Sequence, residues 1–533
     1  MASLPGYELV DLHAHREDAM DRFISQHRSS IIGTLAGFDR LIFRGTIRGL
    51  AYPEAMMGYL WQQQVPLTEF GGFAQNTTAA IKEASLAEAH ALDRPIVYLE
   101  SSKTKKEPLA RSILTTDGIR CGLVGVLTCI EPCYKFGIHK NRDAKRLELV
   151  RQLGKCLHIY HYRVDPVFGF VGIRLQPWFP FNIQVWINGR EWLARQMDAA
   201  GIAYNRLDNS FAWIADFPRA QALMHRQLKA RWPLLLGRLA SLVHPLHDKL
   251  FRPLGLDYYW SVHQSEWAID LTFRDAKSLA AIYPGLVLHA MTRLGCGDVM
   301  RFLGRKVHGS FLGEIVTDFK NRPEGVRVKH RVGANSLKIY DKFGLNLRIE
   351  ATFHDASAFK VFRPLEGDPH GPLAWRPLRK GIADIHRRVE LSQAACERYI
   401  DTLADADTST PLGTIIQTHC RATTWNGKRF RALHPLDEDF ALIDAVADGA
   451  HCLQGFRNRD IRLLLYGPDP SDPRERRRRS ARVSRLLRLL RAHGLIQKVQ
   501  RSRRYHATKR GKLLFAAAIA ANRVTLAQLG AVA

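Results

Sequence analysis

Acidic side chains are in short supply: 51 Asp and Glu stand against 78 Lys and Arg, leaving a formal charge of +27 and a pI near 10.0. That imbalance asks for an anionic partner and argues against a surface built to avoid polyanions. Cysteine is sparse as well, eight in 533 residues, which excludes a small secreted scaffold held together by disulfides. No uninterrupted apolar run approaches the ~18 residues of a membrane-crossing helix, and the opening MASLPGYELVDLHAHRED lacks the basic-then-apolar order of a secretory signal. The expected location is therefore cytoplasmic, with no membrane partner. What is present is a hydrophobic fraction of 46%, enough for several packed cores at ~100–200 residues per domain.

The basic charge is unevenly placed. Between residues 471 and 512 there are sixteen Lys and Arg against Asp472 and Glu475, about half of the chain's excess charge. Val483, Leu486, Leu487, Leu490 and Leu495 recur there at helical spacing, while Arg478, Arg482, Arg485, Arg488 and Arg491 fall largely on other faces. The pattern predicts an amphipathic helix from 480, a C-cap at Gly494, two short strands at 495–500 and 504–507 around a basic turn, and a closing helix over 509–522. Helical stretches are expected before it, at 436–447 and 458–466. The words HGLIQKVQRSRRYHATKRGKLL resemble the recognition-helix-and-wing portion of winged helix-turn-helix DNA-binding domains. The resemblance implies that the five arginines, with Lys498, Arg503 and Arg504, meet nucleic acid, the helix in a major groove and the wing along a phosphate backbone. Phosphate attraction alone does not choose DNA over a structured RNA.

Outside that segment the chain is still basic, which favours a protein that holds nucleic acid along more than one domain. Strands at 41–47, 96–99, 123–130 and 157–162 alternate with helical stretches, and 158–187 reads as antiparallel strands carrying Phe168, Phe170, Arg174, Trp178 and Trp186. Those aromatics suit either a packed sheet face or a stacking platform for unpaired bases. Cys121, Cys129, Cys133 and Cys156 gather in one region, but their spacing is that of buried thiols more than of a zinc site. Asp11, His13 and His15 resemble metal-binding motifs of amidohydrolases and of HUH nucleases, although little chain is available there to build the strand such motifs require. Asp39 and Glu131 could be paired acids of an RNase H-like nuclease, except that helix signals follow where that fold needs a hairpin.

A second concentration of chemistry lies in the middle. Glu266 and Asp270 share a face whether their segment is helix or strand. Two alternating runs, NSLKIYDK and LNLRIEATF, flank Phe343-Gly344 and predict a hairpin with Lys338, Tyr340, Asp341, Lys342, Arg348 and Glu350 on it. SLKIYDK…LRIE resembles the strand pair of rolling-circle replication initiators and relaxases. The resemblance implies metal-assisted strand nicking, with Glu266, Asp270, Tyr340, Asp341 and Glu350 as catalytic candidates. Asp270, Asp341 and Glu350 would be ligands of a divalent metal, Mg or Mn, and Lys338, Lys342 and Arg348 would position the backbone. The bland reading is a structural hairpin in which Asp341 supports the turn.

The fold class expected is α/β or α+β and multidomain, with mixed or antiparallel sheets and a C-terminal winged helix-turn-helix. The expected segments are an arm and helix (1–30), an α/β domain (31–240), a basic α/β domain (241–404), a linker (405–430) and the winged domain (431–533). FDRLIFRGT and VKHRVGANSLKIYDK give the whole chain a resemblance to long, basic, uncharacterised bacterial proteins that are sometimes associated with mobile elements. The functional expectation is a DNA-binding, DNA-processing protein of the mobile-element or replication type. The alternatives are a noncatalytic DNA-binding regulator and a structured-RNA-binding, even RNA-guided, protein.

Overall fold

A computed structural model describes residues 17–292, 294, 296–305, 315–322, 325–365, 368, 370–404, 406, 412–448, 455–499 and 502–523. The chain is a mixed α/β protein, as its alternating strand and helix patterns predict. It divides into two compact units, each discontinuous in sequence. In sequence the chain passes from the second unit to the first and back twice. The Asp11, His13 and His15 motif lies outside the described residues.

The first unit comprises Leu35–Ala268 and Thr352–Glu390. Its strands are β1 (Ile31–Ile47, from residue 35), β2 (Ile96–Leu99), β3 (Gly122–Asn141), β4 (Arg146–Asp165), β5 (Gly169–Leu175), β6 (Ile183–Asn188), a separate pair β7 (Tyr204–Leu207) and β8 (Ser210–Ile214), and residues 258–268 of β9 (Tyr258–Phe273). The sheet order is β9-β1-β6-β5-β4-β3-β2; β1 through β3 pair antiparallel and β2 adds a parallel edge. Helices Phe70–Ala91 and Lys106–Thr116 flank β2 in sequence, and buried Ile159, Ile173, Val185 and Leu127 form strand cores between them. The aromatics settle into packing: Phe168 stacks on Trp232, Phe170 on Tyr162 and Trp186 on Tyr160. Apolar area and offset stacking both favour that arrangement over rings left open to solvent.

The second unit comprises Met1–Thr34, Ile269–Ala351 and Leu391–Ala533. Here β10 (Ile315–Arg322), β11 (Gly325–Val332), β12 (Asn335–Lys342) and β13 (Asn346–Phe353) are consecutive neighbours, with the end of β9 beside β13. Phe343 and Gly344 both have positive φ, 57° and 74°, the conformation of a tight hairpin turn between right-twisted strands. Helix Ile385–Leu403, which enters this unit at Leu391, buries Ala395, Cys396, Tyr399 and Ile400. Among the described residues no helix is long and apolar enough to cross a membrane.

Candidate nucleic-acid interface

The arginine helix runs Pro473–Ala492 and is longer than the periodicity predicts. Its first turn forms because Asp472 caps it, accepting from Arg474 N at 2.9 Å and Glu475 N at 3.3 Å, with Pro473 at N1. Glu475 then pairs with Arg478 and Arg479 at 2.8 and 3.0 Å, so the run of arginines that could have been an extended linker is helical. Val483, Leu487 and Leu490 are 0–1% exposed in a core with Leu442, Ile443, Ile461, Leu514 and Phe515. At roughly 100° per residue the exposed Arg482, Arg485 and Arg488 span an arc of about 120° on the other side. Among the described residues none of those three pairs with a carboxylate. Arg491 instead lies over the Trp425 ring, 4.9 Å from its centroid.

Beyond the helix, Gly494 takes φ 68°, the left-handed cap its position predicts. Strands Ile496–Lys498 and Tyr505–Ala507 then pair, and Phe456 bridges to Tyr505 through backbone bonds of 3.0 and 2.9 Å, adding a third edge. Lys498 and Arg503 are exposed on this hairpin; Arg504 is half-buried and donates to the Gly455 carbonyl at 3.3 Å. Helix Lys509–Arg523 closes the segment, and a Cβ on Gly511 would meet the Leu495 carbonyl oxygen at 1.9 Å, so only glycine fits there. Helix Leu412–Cys420 and hairpin Thr423–Trp425 with Lys428–Phe430 stand where a linker was expected, and Cys420, Ile416 and Phe430 pack into the same core.

An anchor that the sequence did not single out is Arg431 with Asp439. Both guanidinium nitrogens donate to the nearly buried carboxylate at 2.7 Å, and His434 N donates at 2.9 Å. Burial alone would raise the Asp439 carboxyl, but the Arg431 and His434 hydrogen bonds outweigh it and hold it below its ordinary value. Because the folded-state value is depressed, the pair stabilises the segment at neutral pH and loses that contribution as pH falls below the ordinary aspartate range near 4. Asp439→Asn is therefore expected to lower the unfolding midpoint at pH 7 and flatten its decline between about pH 5 and 3. Thermal melts of both proteins across that interval check it; parallel curves would refute the assignment.

The central hairpin forms as its alternation predicts, and its charged groups are engaged by partners within the protein. Arg348, fully buried, grips Asp270 with Nε at 2.5 Å and Nη2 at 2.9 Å. Glu350 accepts from the Lys338 ammonium and, at 2.7 Å, from the Tyr340 hydroxyl. Burial would raise the Glu350 carboxyl; the charge and hydrogen bond of Lys338, with Tyr340, reverse that and hold it low. Asp341 accepts from Gly344 N at 2.6 Å and supports the turn, its carboxyl pushed up by burial. Lys342 is buried with its ammonium 5.1 Å from the Phe343 ring centroid. Glu266 belongs to the first unit, on β9, and accepts from Gln264 at 2.6 Å. A basic ladder does surround the hairpin: Lys329 lies opposite both Lys338 and Asp318, and Arg327 pairs with Asp318 at 3.2 Å.

Other candidates are likewise engaged. Asp39 accepts from Asn209 at 2.9 and 3.0 Å, and Glu131 from Lys106 at 2.7 Å and Tyr160 at 2.6 Å. The Sγ atoms of Cys133 and Cys156 lie 2.9 Å apart, Cys129 is buried and Cys121 exposed. Compared with known proteins, the chain matches no family model, no curated protein and no solved structure.

Proposed function

We propose that this chain binds duplex DNA through its C-terminal segment, acting as a winged helix-turn-helix, in a DNA-processing role of the mobile-element or replication type. The observation that carries the proposal is the arc of Arg482, Arg485 and Arg488. It is exposed on a helix whose opposite face is locked in a core, beside a hairpin presenting Lys498 and Arg503. Helix Phe440–Val446, the Phe456 bridge, helix Asn458–Tyr466, the arginine helix and the hairpin follow one another in the order a winged helix uses. A helix about 30 Å long matches the reach needed across a major groove and its flanking phosphates.

Strand cleavage is not part of the proposal. In the second unit Asp270 is committed to Arg348, and Glu350 to Lys338 and Tyr340, inside the protein. A metal there would have to displace internal partners.

The test is fluorescence anisotropy of the full chain with labelled duplex DNA, single-stranded DNA and duplex RNA of one sequence. If the five exposed cations named above each meet a phosphate, the salt slope on duplex DNA is about −4 to −5. Tighter binding to duplex RNA would transfer the interface to a structured RNA, and a flat salt response would remove nucleic acid altogether.

A further inference from the structure

The first unit has a polar cavity of about 310 Å³. Its floor is one face of the sheet. In register across neighbouring strands, Arg44 on β1 lies opposite Gln184 on β6, which lies opposite Arg174 on β5, which lies opposite Tyr160 on β4. Side chains directly opposite share a face, and strands are about 4.8 Å apart, so Arg44 and Arg174 flank Gln184 at about 10 Å between backbones. Asn182, Gln176, His158 and His263 add further polar lining.

The charges of this cavity do not balance. Arg44 is half-buried, and its guanidinium is disfavoured first by burial and then by Arg151 and Arg174, two like charges. Among the described residues no carboxylate pairs with Arg44. The acid that borders the cavity wall, Glu131, is already met by Lys106 and Tyr160, with Arg174 3.5 Å away. His158 is pulled down to about 4 by burial and by Arg174, and His263 is lowered by burial and by Arg44, so both are neutral near pH 7. Neutral imidazoles, Gln184 and Asn182 offer hydrogen bonds without further charge. Two half-buried guanidiniums, Arg44 with no carboxylate among the described residues and Arg174 sharing Glu131 with Lys106, are costly when the cavity is empty and are relieved by an anion. Arginine forks suit the tetrahedral oxygens of phosphate, which accept paired N–H donors.

We propose that this cavity is a phosphate-binding site, with Arg44 and Arg174 clamping the oxyanion and Gln184 between them. Its volume suits a phosphate with part of the group that carries it. The site stands in a different unit from the arginine helix and does not depend on what that helix binds.

The experiment uses the full chain in phosphate-free buffer and follows the thermal unfolding midpoint while inorganic phosphate, a mononucleotide or a short 5′-phosphorylated oligonucleotide is added. A 5′-hydroxyl oligonucleotide serves as control. All three phosphates are expected to raise the midpoint, and Arg44→Gln is expected to weaken the response at least tenfold in ligand concentration. The same substitution in phosphate-free buffer is expected to leave the midpoint unchanged or raise it, because it removes an uncompensated cation. A merely structural arginine would do the reverse. The mononucleotide acting at lower concentration than the oligonucleotide would identify a free nucleotide as the source, and the opposite order a polynucleotide end; either upholds the site. No response to any phosphate, or a lower midpoint for Arg44→Gln without ligand, would overturn it.

Discussion

Replacing Arg348 with methionine is expected to destabilise the second unit by about 3–5 kcal/mol, a large fraction of a typical domain's stability. Arg348 is fully buried on β13, and its Nε and Nη2 donate to the two oxygens of Asp270, itself 2% exposed on β9. Without the guanidinium, the Asp270 carboxyl is left without its counter-charge in a place water does not reach, and that cost exceeds the loss of one ordinary hydrogen bond. Removing both partners is a different matter. Asp270→Leu with Arg348→Met deletes the pair and its desolvation together, so the double variant is expected to recover much of the loss. Urea unfolding, with hydrogen exchange of β9 and β13 amides to localise the change, reads all three proteins. Equal destabilisation by the single and double variants would show that volume, and not charge, decides this site.

The second large effect concerns binding. Changing Arg482, Arg485 and Arg488 together to glutamine is expected to lower affinity for duplex DNA about 100-fold near 0.15 M salt and to make the salt slope shallower by about 2.7, since each phosphate contact contributes about 0.9. Glutamine keeps the helix propensity close to that of arginine, and Val483, Leu487 and Leu490 still hold the other face. The thermal midpoint should therefore stay within the small range of surface substitutions. Anisotropy titrations at several salt concentrations separate the outcomes. Loss of affinity with an unchanged slope would place these side chains away from phosphate, and unchanged affinity would remove the helix from the interface.

Much of the secondary structure was readable because local pattern and tertiary burial agree. The hairpin around Phe343-Gly344 is one such case, since alternation marked both strands and the turn chemistry fixed their join. Gly494 is another, because a left-handed cap depends only on neighbouring backbone. The start of the arginine helix was less legible: apolar periodicity begins near 480, whereas the first turn depends on Asp472 and Glu475, a capping effect without any buried residue. The candidate catalytic acids show the limit most clearly. Residue type and spacing made Asp270 and Glu350 look available, but availability is a property of neighbours 78 and 12 positions away.

What the sequence by itself determined is the bias of this protein: an excess of positive charge concentrated after residue 471, an amphipathic arginine helix, and alternating strands able to make large sheets. These are set by composition and by periods of 3.6 and 2, which every short stretch carries within itself. Only the tertiary structure decided which charges are spent and which are left over. It paired Arg348 with Asp270 and Lys338 with Glu350. It left Arg482, Arg485 and Arg488 facing outward, and through strand register it set Arg44 and Arg174 on either side of Gln184. The physical reason is that an ion's worth depends on what stands within a few ångströms of it and on how much water remains there, and neither is written in the order of the residues.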